Sequence, residues 1–192
     1  MTPVVRSTLK AALSALPIFA PVTLRPVDAA PFASTYTRHD FHRCAERASP
    51  EPGVIEVRAC AGHAGVPVVW TGEPDSGSVA FGKAPTKSSV SDGPIPGLDS
   101  FHEARGTVEW RGPAVGGRLK PLAAIVRYDT GPAVGRLASS RLVVYRLAPC
   151  GISCVMGVVK GSAADANAAA RAIVDRHAAG FACGRGAALR EP

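Results

Sequence analysis

"RLVVYRLAPCGISCVMGVVKGSAADANAAARAIVDRHAAGFACG", residues 141–184, holds two different hydrophobic periods joined by turns. "RLVVYRL" (141–147) and "CVMGVVK" (154–160) are short runs rich in β-branched residues, and "APCGIS" between them carries Pro and Gly, so they read as two strands and a turn. Pairing Leu147 with Cys154 places Val143, Tyr145, Leu147, Cys154, Met156 and Val158 on one apolar face, expected to face the core. Beyond Lys160 the period changes. Ala166, Ala170, Ile173, Val174, His177 and Phe181 recur at three- and four-residue spacing, which predicts a helix over 161–181 with one stripe on the sheet. Ser162 suits the N-cap, Asp165 the first turn and Gly180 the stop. His177 lies on the stripe and is expected as a packed core or boundary histidine rather than a catalytic base.

Working outward, short strand-like runs alternate with turn clusters. "DFHRCAER" (40–47) and "VIEVRAC" (54–60) flank the turn "ASPEPG". A register with Cys44 opposite Cys60 also sets Glu46 opposite Arg58, an opposite-charge pair, and turns Ile55, Val57 and Ala59 towards a core. "VPVVW" (66–70) and "SVAFG" (78–82) read as a second hairpin across "TGEPDSG". Residues 83–106, rich in Pro, Ser and Gly without a sustained period, read as one long irregular loop. Strands resume at "TVEWR" (107–111) and "AAIVRYD" (123–129), and Trp70, Trp110 and Tyr128 are expected as core or sheet-face aromatics. The expected fold is α+β: an antiparallel sheet of about six strands with one C-terminal helix packed on one face.

The N-terminal stretch is unlike the rest. Arg6 and Lys10 precede the apolar run "AALSALPIFAPVTL" (11–24), and small residues follow it. That is the layout of a secretory signal peptide, with cleavage expected after Ala29. The run is shorter than the ~20 residues needed to span a bilayer. The expected organisation is a leader over 1–29 and one exported domain over 30–192, periplasmic or secreted, with no membrane segment after cleavage.

Export makes the five cysteines candidates for pairing. Cys44 and Cys60 pair across the first hairpin. Strand 154–160 runs away from its turn for about 20 Å, and a helix of about 17 residues returns about 25 Å. Cys183 therefore comes back to the level of Cys154, and a Cys154–Cys183 bridge is expected. Cys150 is left as a free thiol in an exposed loop, where a second chain could reach it to form a covalent dimer. A Cys150–Cys183 bridge stays open at this level. The C-x3-C spacing of Cys150 and Cys154 is not the C-x-x-C of dithiol oxidoreductases.

Charge and motifs narrow the function classes. Losing Arg6, Lys10, Arg25 and Asp28 with the leader lowers the net charge from +7 to +5. The remaining Lys and Arg are scattered, which argues against a nucleic-acid surface and leaves attraction to an anionic envelope surface open. His39, Asp40, His42 and Cys44 are close in sequence, with His63 across the hairpin. With Cys44 in a disulfide, His42 and His63 fall short of a zinc ligand set. Glu73 and Asp75 sit in a hairpin turn without the ligand pattern of a calcium loop. His102 and Glu103 are the acid–base candidates of the long loop. There is no G-x-S-x-G, H-E-x-x-H, P-loop or G-x-G-x-x-G motif.

"TVEWRG", "KPLAAIVRY", "RLVVYRL", "CVMGVVKG" and "ANAAARAIVDRHAAGFACG" together resemble a group of small exported bacterial proteins, over roughly the last 85 residues. The resemblance implies export and a compact fold and brings no activity, cofactor or catalytic residue. The expected function is a non-catalytic binding or interaction domain of the cell envelope, inhibitor-like in kind, with no cofactor, no metal, and an unidentified protein or envelope component as partner. The alternatives are a small periplasmic hydrolase, a thiol-dependent enzyme using Cys150, and a metal-binding protein using His42 and His63.

Overall fold

The computed structural model describes residues 31–82, 95, 97–99, 101–149, 151–184 and 188–190. The expected leader, Cys150 and most of 83–100 lie outside the described residues.

Eleven strands form one sheet among the described residues. In chain order they are β1 (Phe32–Arg38), β2 (Ala45–Glu46), β3 (Glu56–Cys60), β4 (Val68–Glu73), β5 (Ser76–Phe81), β6 (Phe101–Val115), β7 (Arg118–Leu119), β8 (Ala123–Gly131), β9 (Ser139–Leu147), β10 (Ser153–Lys160) and β11 (Leu189–Arg190). Among the described residues there is one α-helix, α1 (Ala166–His177), between β10 and β11. The path across the sheet is β11-β10-β9-β8-β6-β5-β4-β3-β2, and β1 and β7 also pair with β6. The sheet is mixed, because β5 joins β6 and β11 joins β10 in parallel.

The α+β class stands, and so does the single C-terminal helix among the described residues. The count of about six antiparallel strands is too low: β1, β7 and β11 are strands with no counterpart in the sequence reading. β6 begins at Phe101, so 101–106 is strand and not loop. The two parallel contacts join segments with no hairpin between them, and hairpins are the signal that strand spacing carries.

The sheet folds over on itself. Cys60, Val68, Trp70, Val79 and Phe81 of β3–β5 share one buried cluster with Val108, Trp110, Val126, Tyr128, Val143, Tyr145 and Val158 of β6 and β8–β10. Phe81 bridges the two halves, 5.3 Å from Trp110 and 5.2 Å from Tyr145 by ring centroids. On the other face of β8–β10, Ile125, Leu142, Val144, Met156 and Val159 meet Ala166, Ala170, Ile173, Val174 and Ala178. The molecule thus has three layers, and β8 and β9 are covered on both sides. That explains why "AAIV" and "LVVY" are continuous apolar runs instead of alternating ones.

Register tests the strand readings closely. Glu46 does lie opposite Arg58. The Arg58 guanidinium pairs with Glu56 on its own strand instead, and donates to the Cys44 carbonyl oxygen. Val57 is buried as expected, whereas Ile55 and Ala59 are only half-buried. Residues 40–47 are not one strand: Phe41–Arg43 form a 3-10 turn and only Ala45–Glu46 pair. The expected β9–β10 register holds for Val143↔Val158, but at the turn Leu147 meets Ser153 and Cys154 meets Arg146. A bulge between Val155 and Gly157 absorbs the one-residue slip. It sends Met156 to the helix side, so the single-face set expected for 143–158 divides between two cores.

α1 starts at Ala166 with Asp165 at the N-cap, not Ser162, because 161–165 close as successive turns. The apolar stripe reaches a position shared by residues 177 and 178. Ala178 takes the buried place and His177 is exposed, which corrects its expected packing.

Two disulfides fasten the ends. Cys44–Cys60 closes the first hairpin, with Cα atoms 5.0 Å apart. Cys154–Cys183 ties the chain after α1 back to β10, with Cα atoms 5.7 Å apart. A partly buried polar clamp does similar work at β1. Glu109 on β6 accepts from Ser34 Oγ (2.6 Å) and Arg171 Nε (2.7 Å), and Arg171 also reaches the Tyr36 hydroxyl (2.7 Å). Arg111 binds Asp175 through two nitrogens at 2.6 Å and donates to Ser34 Oγ at 2.9 Å. Strand β1, strand β6 and helix α1 are joined through these contacts.

Candidate functional site

Chemistry-bearing side chains gather at two places. The first is the seam where β5 meets β6. Only Ser76 and Gly77 pair there in parallel, with His102 and Glu103. Further along β5 the ladder is continued by side chains: Val79 N–H donates to Tyr128 Oη (2.9 Å) and Phe81 N–H to Ser153 Oγ (2.8 Å). Backbone donors on a buried strand edge must find acceptors, and here tyrosine and serine supply them. Tyr128 and Tyr145 hydroxyls share a 2.6 Å hydrogen bond. Burial pushes the Tyr128 phenol up to about 12 and Tyr145 well above its ordinary value. Both stay protonated at neutral pH.

His102 and Glu103 belong to this seam and not to a loop. His102 Nε2 lies 3.1 Å from Ser78 Oγ, and Nδ1 lies 2.9 Å from the Asp99 carbonyl oxygen. The carbonyl can only accept, so Nδ1 carries a proton, and in the neutral imidazole Nε2 is the acceptor that faces Ser78. Thr130 Oγ1 donates to the Asp99 carboxylate at 3.0 Å and steadies the same corner. The Glu103 carboxylate lies where a Cβ on Gly77 would sit, so a side chain at 77 would push it aside. Burial raises the Glu103 carboxyl above its ordinary range, against the opposing pull of the Trp70 indole N–H, His42 and His102. Trp70 Nε1 is buried beside that carboxylate without a well-formed hydrogen bond.

The second place is a groove of about 260 Å³ lined by Arg105, Asp129, Leu137, Ala138, Ser139, Ser140, Arg141 and Ser162. It is formed by the end of the β8–β9 hairpin, the edge of β6 and the turn before α1. Arg105 holds Asp129 through three contacts of 2.8–3.1 Å, which satisfies the only carboxylate of the lining. Arg141 donates to the Ser140 carbonyl oxygen at 3.0 Å and pairs with no carboxylate among the described residues. Behind the wall, Arg127 donates to Ser140 Oγ at 3.0 Å, leaving the serine's own hydrogen free to point elsewhere. The groove therefore offers arginine and hydroxyl donors and an excess of positive charge. Arginine forks and hydroxyls bind oxyanions well.

The metal candidates do not converge. His42 packs edge-on against Trp70 at 5.1 Å, and His63 lies 6.2 Å from Trp110. No group of three or more His, Cys, Asp or Glu able to hold a metal occurs among the described residues. His39 is in a different circuit. Trp110 Nε1 donates to Thr37 Oγ1 (2.8 Å), which shares a 2.7 Å hydrogen bond with His39 Nε2. Burial lowers the His39 pKa and favours the neutral imidazole.

Sequence reasoning singled out His102 and Glu103 but not Ser78, 24 residues away and on another strand. It missed the groove altogether. The only local signal there was "RLASSR" (136–141), two arginines around two serines. The chain matches no family model, no curated protein and no solved structure. No helix among the described residues is long and apolar enough to cross a membrane, and the two disulfides fit an oxidising compartment.

Proposed function

We propose that the protein is an exported, non-catalytic binding domain of the bacterial cell envelope, periplasmic or secreted, released from a leader over residues 1–29. The observation that carries this reading is the groove formed by the β8–β9 hairpin end, β6 and the turn before α1. Its donors are suited to holding an anion, and its one carboxylate, Asp129, is already held by Arg105. The two disulfides and the resemblance to small exported proteins point the same way.

The test is saturable binding of the purified domain to an envelope fraction, read against a panel of hydrolase substrates. Saturable binding without turnover supports the reading. Turnover that disappears in His102→Ala overturns it.

A second reading, a small hydrolase, has one specific observation in its favour. Ser78, His102 and the Asp99 carbonyl form a nucleophile, base and orienting acceptor in order. Labelling by a fluorophosphonate at Ser78, lost in Ser78→Ala, would bring that reading forward. The thiol reading depends on Cys150, outside the described residues.

A further inference from the structure

We infer that the groove and the neighbouring β8–β9 loop form a docking site for the phosphoryl headgroup of an anionic lipid at an envelope membrane surface. This rests on the binding-domain reading above and names the ligand class.

Size comes first. Pockets for drug-sized ligands run from about 300 to 1,000 Å³. A groove of about 260 Å³ is below that range and suits a headgroup, not a whole small molecule. Charge comes second. Arg105 already holds Asp129, and Arg141 keeps donors to spare beside Ser139, Ser140 and Ser162. A planar carboxylate uses one guanidinium fork, as Asp129 does. The phosphodiester of a lipid headgroup shares its charge over two non-bridging oxygens on a tetrahedral centre, which makes use of hydroxyls as well as a fork.

The loop supplies the third argument, and it selects a membrane over a dissolved anion. Arg136 N–H donates to the Ala133 carbonyl oxygen at 3.0 Å, closing a turn with Val134 and Gly135 at its tip. Gly135 has φ +72°, the left-handed conformation that the third position of a type II turn requires. Val134 is thereby held outward and is 63% exposed, more than Tyr36, Val54, Val115 or Ile152. Arg136 flanks it, and the turn leads directly into Leu137–Arg141 of the groove wall. An apolar tip next to the basic Arg136, leading into a groove for an oxyanion, matches the boundary between acyl chains and anionic headgroups.

The experiment is co-sedimentation of the disulfide-intact domain with phosphatidylglycerol vesicles and with phosphatidylcholine vesicles, at low and physiological salt. The expected result is saturable binding to phosphatidylglycerol alone, weakened by salt. Arg141→Gln weakens it about fivefold, the effect of ~1 kcal/mol per basic residue at such a surface. Val134→Asp weakens it further, and neither variant changes the melting temperature by more than a few degrees. Glycerol phosphate in solution serves as competitor. Competition without any binding to vesicles assigns the groove to a soluble phosphate ester and overturns the membrane assignment. Equal binding by Arg141→Gln and Val134→Asp also overturns the proposal, since a diffuse basic surface then suffices. Absence of vesicle binding with retained saturable binding to envelope protein removes this site and leaves the binding-domain reading standing. Turnover on the hydrolase panel removes the reading itself.

Discussion

The two faces of β8 and β9 are both buried, yet they are closed in opposite ways. The helix side is mainly aliphatic: Ile125, Leu142, Val144, Met156 and Val159 meet alanines, Ile173 and Val174 of α1, with Arg127 and Arg146 bonded at its margins. The folded-over side is aromatic and polar. Trp110, Phe81, Tyr128 and Tyr145 fill it, and each Trp110, Tyr128 and Tyr145 polar atom needs a partner. A helix satisfies its own backbone and can cover a face with apolar side chains alone. A sheet edge brings unpaired backbone donors with it, so the strand that closes the second face must be received by hydroxyls.

The largest expected effect breaks the aromatic side. Trp110→Ala removes a fully buried side chain and its bond to Thr37, and is expected to cost about 4 kcal/mol in chemical denaturation. A loss under about 1 kcal/mol contradicts the packing described. Next is the fastening of the helix. The double change Cys154→Ser and Cys183→Ser releases a loop closed over 29 residues and should cost about 3.5 kcal/mol, a chain-entropy figure that native strain can reduce. If α1 were held by packing alone, the loss would be negligible.

Tyr128→Phe sharpens the comparison at nearly constant volume. It leaves the Val79 N–H and the Tyr145 hydroxyl without their partner and should cost about 2 kcal/mol. An aliphatic exchange of similar size on the helix side, Met156→Leu, should cost less than about 1.5 kcal/mol. Equal losses from the two changes would erase the distinction between the faces.

The smallest effect is on pH. The folded protein holds His39 below its ordinary value of 6.5. As pH falls through that value, the unfolded chain takes up a proton that the folded one still refuses, so stability is lost on acidification and is fully present above pH 6.5. Denaturation midpoints between pH 7.5 and 5 should fall more steeply for the natural protein than for His39→Gln. Identical slopes would remove the neutral imidazole from the account.

The helix side was also the more legible one in the sequence, and for the same reason. Its α1 stripe and the β9 and β10 runs are local periods, and the return of Cys183 to Cys154 follows from strand and helix rise. The pairing of Cys44 with Cys60 came from one hairpin register that also set Glu46 opposite Arg58. The other side depends on contacts without a local period. Ser78 meets His102 across a parallel contact, Phe81 reaches Ser153 over 72 residues, and the bulge that turns Met156 to the helix side is a single-residue slip. The groove joins β6, β8–β9 and the turn before α1, none of which has a motif of its own. β1 is the exception, since "FASTYTR" (32–38) carries aromatic and β-branched residues that a closer reading could have taken as a strand.

The most direct test of an exported domain fastened at both ends is mass spectrometry of the protein from the exported fraction, alkylated under denaturing conditions before and after reduction. The account predicts a chain beginning at Ala30 that takes one alkyl group before reduction and five after it, with peptides linking Cys44 to Cys60 and Cys154 to Cys183. A chain that retains residues 1–29 and takes five alkyl groups without reduction would contradict it.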